Sequence, residues 1–219
     1  MNDKLRLGIL YGGRSGEHEV SLMSARSVLS AVDRKRFSVI EIGISRSGQW
    51  LVGEDLWQKL QSESLDDLSP AFLHPSPLDP GIFIMQNGQV SRYANLDVVF
   101  PVMHGTFSED GSLQGLLELA DLAYVGSGVL GSATCMDKGL FKDVMIANGI
   151  PTLPYQVFSR EELQADLESC LNRAERIAPY PLFTKPANLG SSVGISKCTS
   201  RSDLMEGMLA AADYDRRIV

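Results

Sequence analysis

The sequence predicts an α/β fold around a largely parallel sheet, on three observations. Short apolar runs of strand length alternate with stretches of helical spacing along nearly all of the 219 residues. Glycine-containing turns follow the strand-like runs directly, at Gly12-Gly13, His104-Gly105 and Gly126-Ser127-Gly128. The balance of 44% hydrophobic and 21% charged residues is that of a globular chain with a core.

Residues 4–10 read as the first strand and Gly12-Gly13-Arg14-Ser15-Gly16 as a tight turn. A helix follows, with Val20, Met23, Val28 and Val32 at helical spacing on its apolar side. Residues 37–44 form a second strand, and Ser47-Gly48 turns it toward Trp50-Leu51-Val52. Residues 54–95 are less regular and read as an insertion rather than a domain. The prolines predict loop over 69–81. The pair Asn87-Gly88 between β-prone runs predicts a hairpin of 82–85 with 90–93. Residues 96–103 make a buried strand ending at His104-Gly105, a helix spans 112–120, and a short strand covers 123–125. One helix then runs to Ala147, stopped by Asn148-Gly149, since glycine accepts the left-handed conformation of a helix end.

Pro151 and Pro154 mark a boundary. Beyond it come a strand (155–158), a helix (161–176), a strand (181–186), a Gly/Ser loop, a strand (195–198) and a helix (203–212). A further strand begins at 216–219, so the sequence is expected to stop inside a domain.

Several function classes are disfavoured. A formal net charge of -7 argues against non-specific nucleic-acid binding, which needs a basic field, but leaves room for a nucleotide held by a few lysines. Cys135, Cys170 and Cys198 are odd in number and far apart, so neither a zinc site nor a disulfide framework is indicated. The first apolar run is too short for a signal peptide, and no stretch approaches the ~20 apolar residues of a membrane helix. A cytoplasmic location without a membrane partner is expected.

Four segments could carry chemistry. Gly190-Ser191-Ser192-Val193-Gly194 lies between two strands and reads as a phosphate-covering flap or as an ordinary Ser/Gly turn. It is not a Walker A loop, because no Gly-Lys-Ser/Thr is present. Lys185 could supply a phosphate's counter-charge or be a solvated strand-end lysine. Gly126-Ser127-Gly128-Val129-Leu130-Gly131 matches G-x-G-x-x-G, yet no acidic residue ends a second strand at the needed distance, which favours a plain strand-to-helix turn. Glu17 falls in the first turn of a helix at the carboxyl edge of the sheet. It could hold an ammonium there or, with Glu19, only complement the helix dipole, and His18 reads as a solvated neighbour. His104 reaches the same edge beside Glu109-Asp110 and is either structural or functional.

Together these blocks resemble the D-alanine–D-alanine ligases of the ATP-grasp superfamily. The blocks are Gly12 through Leu22, then His104-Gly105 with Glu109 through Gly115, then Tyr124 through Val129, Met136-Asp137-Lys138, and Lys185 through Lys197. They run in order over essentially the whole chain. The resemblance implies a Rossmann-like, parallel-sheet N-terminal substrate domain (the pre-ATP-grasp domain) over 1–136. The first part of an ATP-grasp domain would occupy 137–219. It implies ATP with Mg2+ or Mn2+, formation of an acyl phosphate on the first D-alanine, and attack by the amine of the second. By resemblance Glu17 holds the first D-alanine's ammonium, and Ser191 joins a hydrogen-bond network reaching Glu17. Lys138 and Lys185 contact ATP phosphates, Ser192 and its flap cover them, and Val20 and His104 lie near the first D-alanine. No metal ligand is expected among these residues. A homodimer formed through the N-terminal domain is also implied. The family continues past Val219, so these residues alone are expected not to catalyse ligation. Two alternatives stay open: a ligase making D-alanyl-D-lactate or D-alanyl-D-serine, and a non-catalytic nucleotide-binding or dimerisation module.

Overall fold

A computed structural model describes residues 4–219, and the chain divides into two compact units, 1–129 and 130–219. The first unit contains β1 (Leu5–Gly12), α1 (His18–Ala31), β2 (Phe37–Ile44), β3 (Trp50–Val52), α2 (Leu56–Ser62) and β4 (Ser69–Leu73). It continues with β5 (Gly81–Gln86), β6 (Gln89–Asn95), β7 (Val98–Pro101), α3 (Ser112–Leu119) and β8 (Ala123–Tyr124). All eight strands form one sheet in the order β6-β5-β4-β3-β2-β1-β7-β8. The β2-β1-β7-β8 half is parallel, as the alternating pattern predicts. The half from β3 to β6 is antiparallel, so the parallel part is narrower than the sequence suggests.

β1 is apolar from Leu7 onward because both of its faces are covered there. Leu7, Ile9 and Tyr11 pack with Leu22 and Ala25 of α1 and with Leu56 and Leu60 of α2. Leu10 packs on the other face with Ile42, Val99 and the α3 residues Leu113 and Leu117. The chain leaves β1 toward β2 on one side and returns to β7 on the other. The carboxyl ends of β1 and β7 therefore flank a topological switch point, where open α/β sheets collect ligands.

Four local expectations need correction in this unit. The proline-bearing stretch 69–81 contains β4, whose Pro70 sits near the strand start opposite Leu51, a position proline tolerates. Helix α2 lies in the segment expected to be irregular. On α1, Val20 and Met23 face outward, at 40% and 64% exposure, while His18, Ser21, Leu22 and Ala25 are buried. His18 is accordingly no solvated neighbour: it is 2% exposed, and its Nδ1 bonds the Gly13 carbonyl oxygen at 2.8 Å. The hairpin expectation holds, with Asn87 and Gly88 both at positive φ (52° and 75°), as a two-residue primed turn requires. Its strands add to the existing sheet and share the Leu10 core through Ile82 and the partly buried Ile84.

The second unit contains all but the first residue of α4 (Val129–Met136), then α5 (Lys138–Ala147), β9 (Phe158–Ser159), α6 (Arg160–Ala165), α7 (Leu167–Glu175), β10 (Leu182–Thr184), β11 (Ser196–Cys198), α8 (Arg201–Tyr214) and β12 (Arg217–Ile218). The single helices expected up to Ala147 and over 161–176 are each broken by an aspartate. Asp137 and Asp166 take non-helical backbone angles and cap the helix that follows, accepting amide bonds from Gly139 and Leu140 and from Ser169. β10 pairs with β11 and β9 with β12, both antiparallel. Mutual backbone bonds between Lys185 and Val219, both 2.8 Å, tie the end of β10 to the β12 strand. Leu204, Met208 and Ala211 of α8 pack with Cys170 and Leu171 of α7. Gly207 lets α8 approach closely: a Cβ there would meet Thr184 Oγ1 at 2.6 Å.

Candidate functional site

At the switch point of the first unit, two loops are joined by short polar side chains. Ser15 Oγ donates to the His104 carbonyl oxygen at 2.7 Å and accepts from the Glu17 amide at 3.1 Å. Ser21 Oγ donates to the Val102 carbonyl oxygen at 2.5 Å and accepts from the Gly12 amide at 2.8 Å. Glu17 is the N-cap residue of α1, but its carboxylate makes no capping bond. It lies over the His104-Gly105 turn, where a Cβ on Gly105 would come within 3.1 Å of Glu17 Oε1. Gly105 has φ 75° and donates its amide to Glu109 Oε2 at 2.7 Å. His104 Nε2 bonds Ser24 Oγ at 3.0 Å. The structure thus brings Glu17 and the His104 segment together, with Val20 one turn along the exposed side of α1. Glu19, in the first turn of α1, pairs with Arg46.

The lysines of the second unit converge as well. Lys138, the first residue of α5, donates from Nζ to the carbonyl oxygens of Ala187 (3.2 Å) and Leu189. Its amide donates to the Ala187 carbonyl oxygen at 3.1 Å. Lys138 is thereby fixed to the root of the Gly190–Gly194 flap. Lys138 and Lys185 both line one cavity of about 680 Å³, whose walls include Phe141, Phe183, Leu204 and Met208. Burial, and then the Lys185 charge, hold the Lys138 ammonium below the ordinary lysine range, against the pull of Asp215 and Asp137. Ser191 and Ser192 are exposed in the flap and take positive φ values of 47° and 61°. Non-glycine residues seldom hold that conformation, and strain of this kind gathers at ligand clamps.

Sequence reasoning passed over the residues that hold these groups in place. Asp137, 7% exposed, caps α5 and accepts from Arg217 Nη1 at 2.5 Å, so the residue before Lys138 anchors its helix. Asp215 Oδ2 accepts from the Asn188 amide at 2.7 Å and side chain at 3.0 Å, pinning the flap's entry. An Asp directly before a helical run is a cap signal that could have revealed the first. Nothing local announces the second, which joins residues 27 apart in the chain. Among the described residues no group of three or more His, Cys, Asp or Glu side chains is placed to hold a metal ion.

Two family models match the chain: one described as the D-ala D-ala ligase N-terminus over residues 6–127, the other as the D-ala D-ala ligase C-terminus over 144–219. The chain belongs to the D-Ala–D-Ala ligase family. The N-terminal match covers Glu17, Val20 and His104, the C-terminal match covers Lys185, Ser191 and Ser192, and Lys138 lies between the two. A D-alanine–D-alanine ligase of Natranaerobius thermophilus is 44% identical over 215 residues, covering 98% of this chain and 58% of the relative. One from Heliobacterium modesticaldum is 43% identical over 216 residues, covering 99% and 59%. Among solved ligase structures, the VanG D-Ala:D-Ser ligase of Enterococcus faecalis superposes with a TM-score of 0.84 at 33% identity, over 99% of this chain and 62% of that one. The D-alanine–D-alanine ligase of Coxiella burnetii gives 0.81 at 32% identity, over 98% and 62%. The chain thus spans about three-fifths of the length of its ligase relatives.

Proposed function

We propose that the protein containing this chain joins two D-alanines in an ATP-dependent reaction, giving D-alanyl-D-alanine for peptidoglycan. Residues 1–136 are read as its substrate domain and 137–219 as the first part of its ATP-grasp domain. The observation that carries the reading is the pair Lys138 and Lys185. They come from different elements, line one cavity with aromatic and aliphatic walls, and are tied through Lys138 to a strained Gly/Ser flap. Apolar walls suit a nucleobase, and paired ammonium groups beside a glycine-rich flap suit its phosphates. Glu17 adds the counter-charge for a substrate ammonium, with its carboxylate directed over Gly105 rather than onto its own helix.

In this reading ATP supplies the phosphoryl group that activates the first D-alanine's carboxylate. Glu17 holds that D-alanine's ammonium, and Val20 and His104 flank it. Lys138 and Lys185 hold the phosphates, and Ser192 with its flap excludes water from the activated acyl group. Ser191 works with Glu17 in closing the site. Mg2+ or Mn2+, carried by the triphosphate, would add to the charge that Lys138 and Lys185 supply. The protein acts as a homodimer in the cytoplasm, and no helix among the described residues is long and apolar enough to cross a membrane.

The test uses a polypeptide of the relatives' length that includes this sequence. Glu17→Gln is expected to raise KM for the first D-alanine at least tenfold with little change in KM for ATP, and Lys185→Met to do the reverse. A double-mutant cycle of Glu17→Gln with Ser191→Ala should show coupling. Unchanged D-alanine kinetics in Glu17→Gln would overturn the assignment. Offering D-serine and D-lactate beside D-alanine decides the second substrate, the point raised by the likeness to a D-Ala:D-Ser ligase.

A further inference from the structure

Beside the Gly12–Gly16 turn lies a second cavity of the first unit, of about 270 Å³, whose lining includes neither Glu17 nor His104. Its walls come from the ends of β2 and β7 and the starts of β3 and α3: Ile44, Trp50, Met103, Leu113 and Leu116, with Ser47 and Ser112. Arg14 is the one charged residue in that lining. Among the described residues no carboxylate lies within ion-pair distance of Arg14, whereas Arg6, Arg46 and Arg92 of the same unit are each paired with an acid.

Arg14 is nonetheless held in place. Its guanidinium carbon stands 4.3 Å from the centroid of the Phe107 ring. Phe107 lines the same cavity, is 42% exposed, and takes a φ of 69°, a conformation a bulky side chain rarely adopts. Asp110 maintains that conformation by accepting the Phe107 amide through Oδ2 at 2.8 Å, and it also accepts the Ser112 amide through Oδ1 at 3.0 Å. The Ser112 amide is therefore already taken. Gly48, at φ 90°, lies beside the arginine stem, where a Cβ would be in ordinary contact with Arg14 Cδ at 3.5 Å. A guanidinium stacked on one face keeps its N–H edge available for a planar anion.

We propose that this cavity is a binding site for a small monocarboxylate with an apolar tail, paired with Arg14 and laid against Phe107, Trp50 and Leu116. The volume equals that of about nine waters at ~30 Å³ each, which suits a chain of a few carbons and excludes a nucleotide. The lining contains no acid to receive an ammonium, so the site discriminates against amino acids and is separate from the one proposed around Glu17.

The experiment titrates the protein with hexanoate, hexylamine and norleucine, following backbone amide resonances of Ser47, Gly48, Phe107 and Ser112. Hexanoate should shift these resonances saturably, with norleucine and hexylamine each at least tenfold weaker. Arg14→Gln should weaken hexanoate at least tenfold. Ser112→Glu, which keeps an N-terminal residue favourable to α3, should do the same by placing a negative charge at the mouth. Circular dichroism of both variants checks that the fold is kept. Absence of saturable hexanoate shifts overturns the proposal. So does equal binding of hexylamine, which would make the cavity merely apolar, or equal binding of norleucine, which would make it an amino-acid site. Indifference of hexanoate to both substitutions overturns it too.

Discussion

Replacing Asp137 tests how Lys138 is held. The carboxylate accepts from the Gly139 and Leu140 amides, both at 3.0 Å, and from Arg217 Nη1 at 2.5 Å. The Asp137 side chain is 10% exposed and that of Arg217 36%. Loss of an N-cap costs about 1 kcal/mol. A charge-assisted bond contributes about 1.5–3 kcal/mol when dry, and solvent around Arg217 reduces that to about 1 kcal/mol. Asp137→Asn keeps a capping oxygen and loses only the ion pair, so about 1 kcal/mol is expected. Asp137→Ala loses both, about 2 kcal/mol or up to thirtyfold in the unfolding equilibrium. Urea unfolding of wild type and both variants measures the series, and a nucleotide titration should rank affinity in the same order, because Lys138 directly follows the cap. Equal destabilisation by Asn and Ala, or none by either, would refute the reasoning.

Three further outcomes follow from the same geometry. Nucleotide affinity should fall as pH rises through the lowered Lys138 pKa, before the ordinary lysine value of 10.5; in Lys185→Gln that limb should move to higher pH, because a charge that depresses Lys138 has gone. Titrations across pH 7–10 read the position of the limb independently of the overall affinity. Asp97, whose Oδ2 accepts from the Arg6 amide at 2.6 Å and from Arg6 Nε at 2.9 Å, is held at about 2, well below its ordinary 3.8. Its folded pKa is depressed, so its stabilisation is complete above 3.8 and lost as pH falls through about 2; Asp97→Asn should flatten the acid unfolding curve in that window. Ser21→Ala deprives the buried Gly12 amide and Val102 carbonyl of a shared partner, and urea unfolding should show a loss of about 2 kcal/mol.

What the sequence made legible was what local pattern encodes. Strand β1 is visible because a parallel strand covered on both faces reads as an apolar run, here from Leu7 onward, β2 because β-branched and apolar residues dominate it despite Ser38 and Glu41, and the Asn87-Gly88 hairpin because two successive positive φ values favour those residue types. β4 stayed hidden because its pairing is non-local: Pro70 argues for a loop until β3 and β5 are seen on either side of it. The broken helices stayed hidden because helical spacing continues through Asp137 and Asp166, so an aspartate that could cap reads equally well as one inside a longer helix until the backbone angles separate the two.

The same distinction governs the site. Glu17, Lys138 and Lys185 stand in short motifs and could be named from the chain alone, but what each does depends on partners that no motif contains. On α1 the apolar spacing selects Val20 and Met23, yet the helix buries Ser21 and His18, because those two side chains bond Val102, Gly12 and Gly13 at the ends of β7 and β1. A helix whose inward face must satisfy strand-end backbone groups cannot be apolar there, since an unpaired buried amide or carbonyl costs more than exposing a valine. Polar residues on the inner face of the first helix after a glycine turn are therefore a sign of the switch point itself. They tie together the two strand ends beside Glu17, and Ser21→Ala should disturb substrate affinity and stability together, whereas Met23→Ser, on the outward face, should change neither.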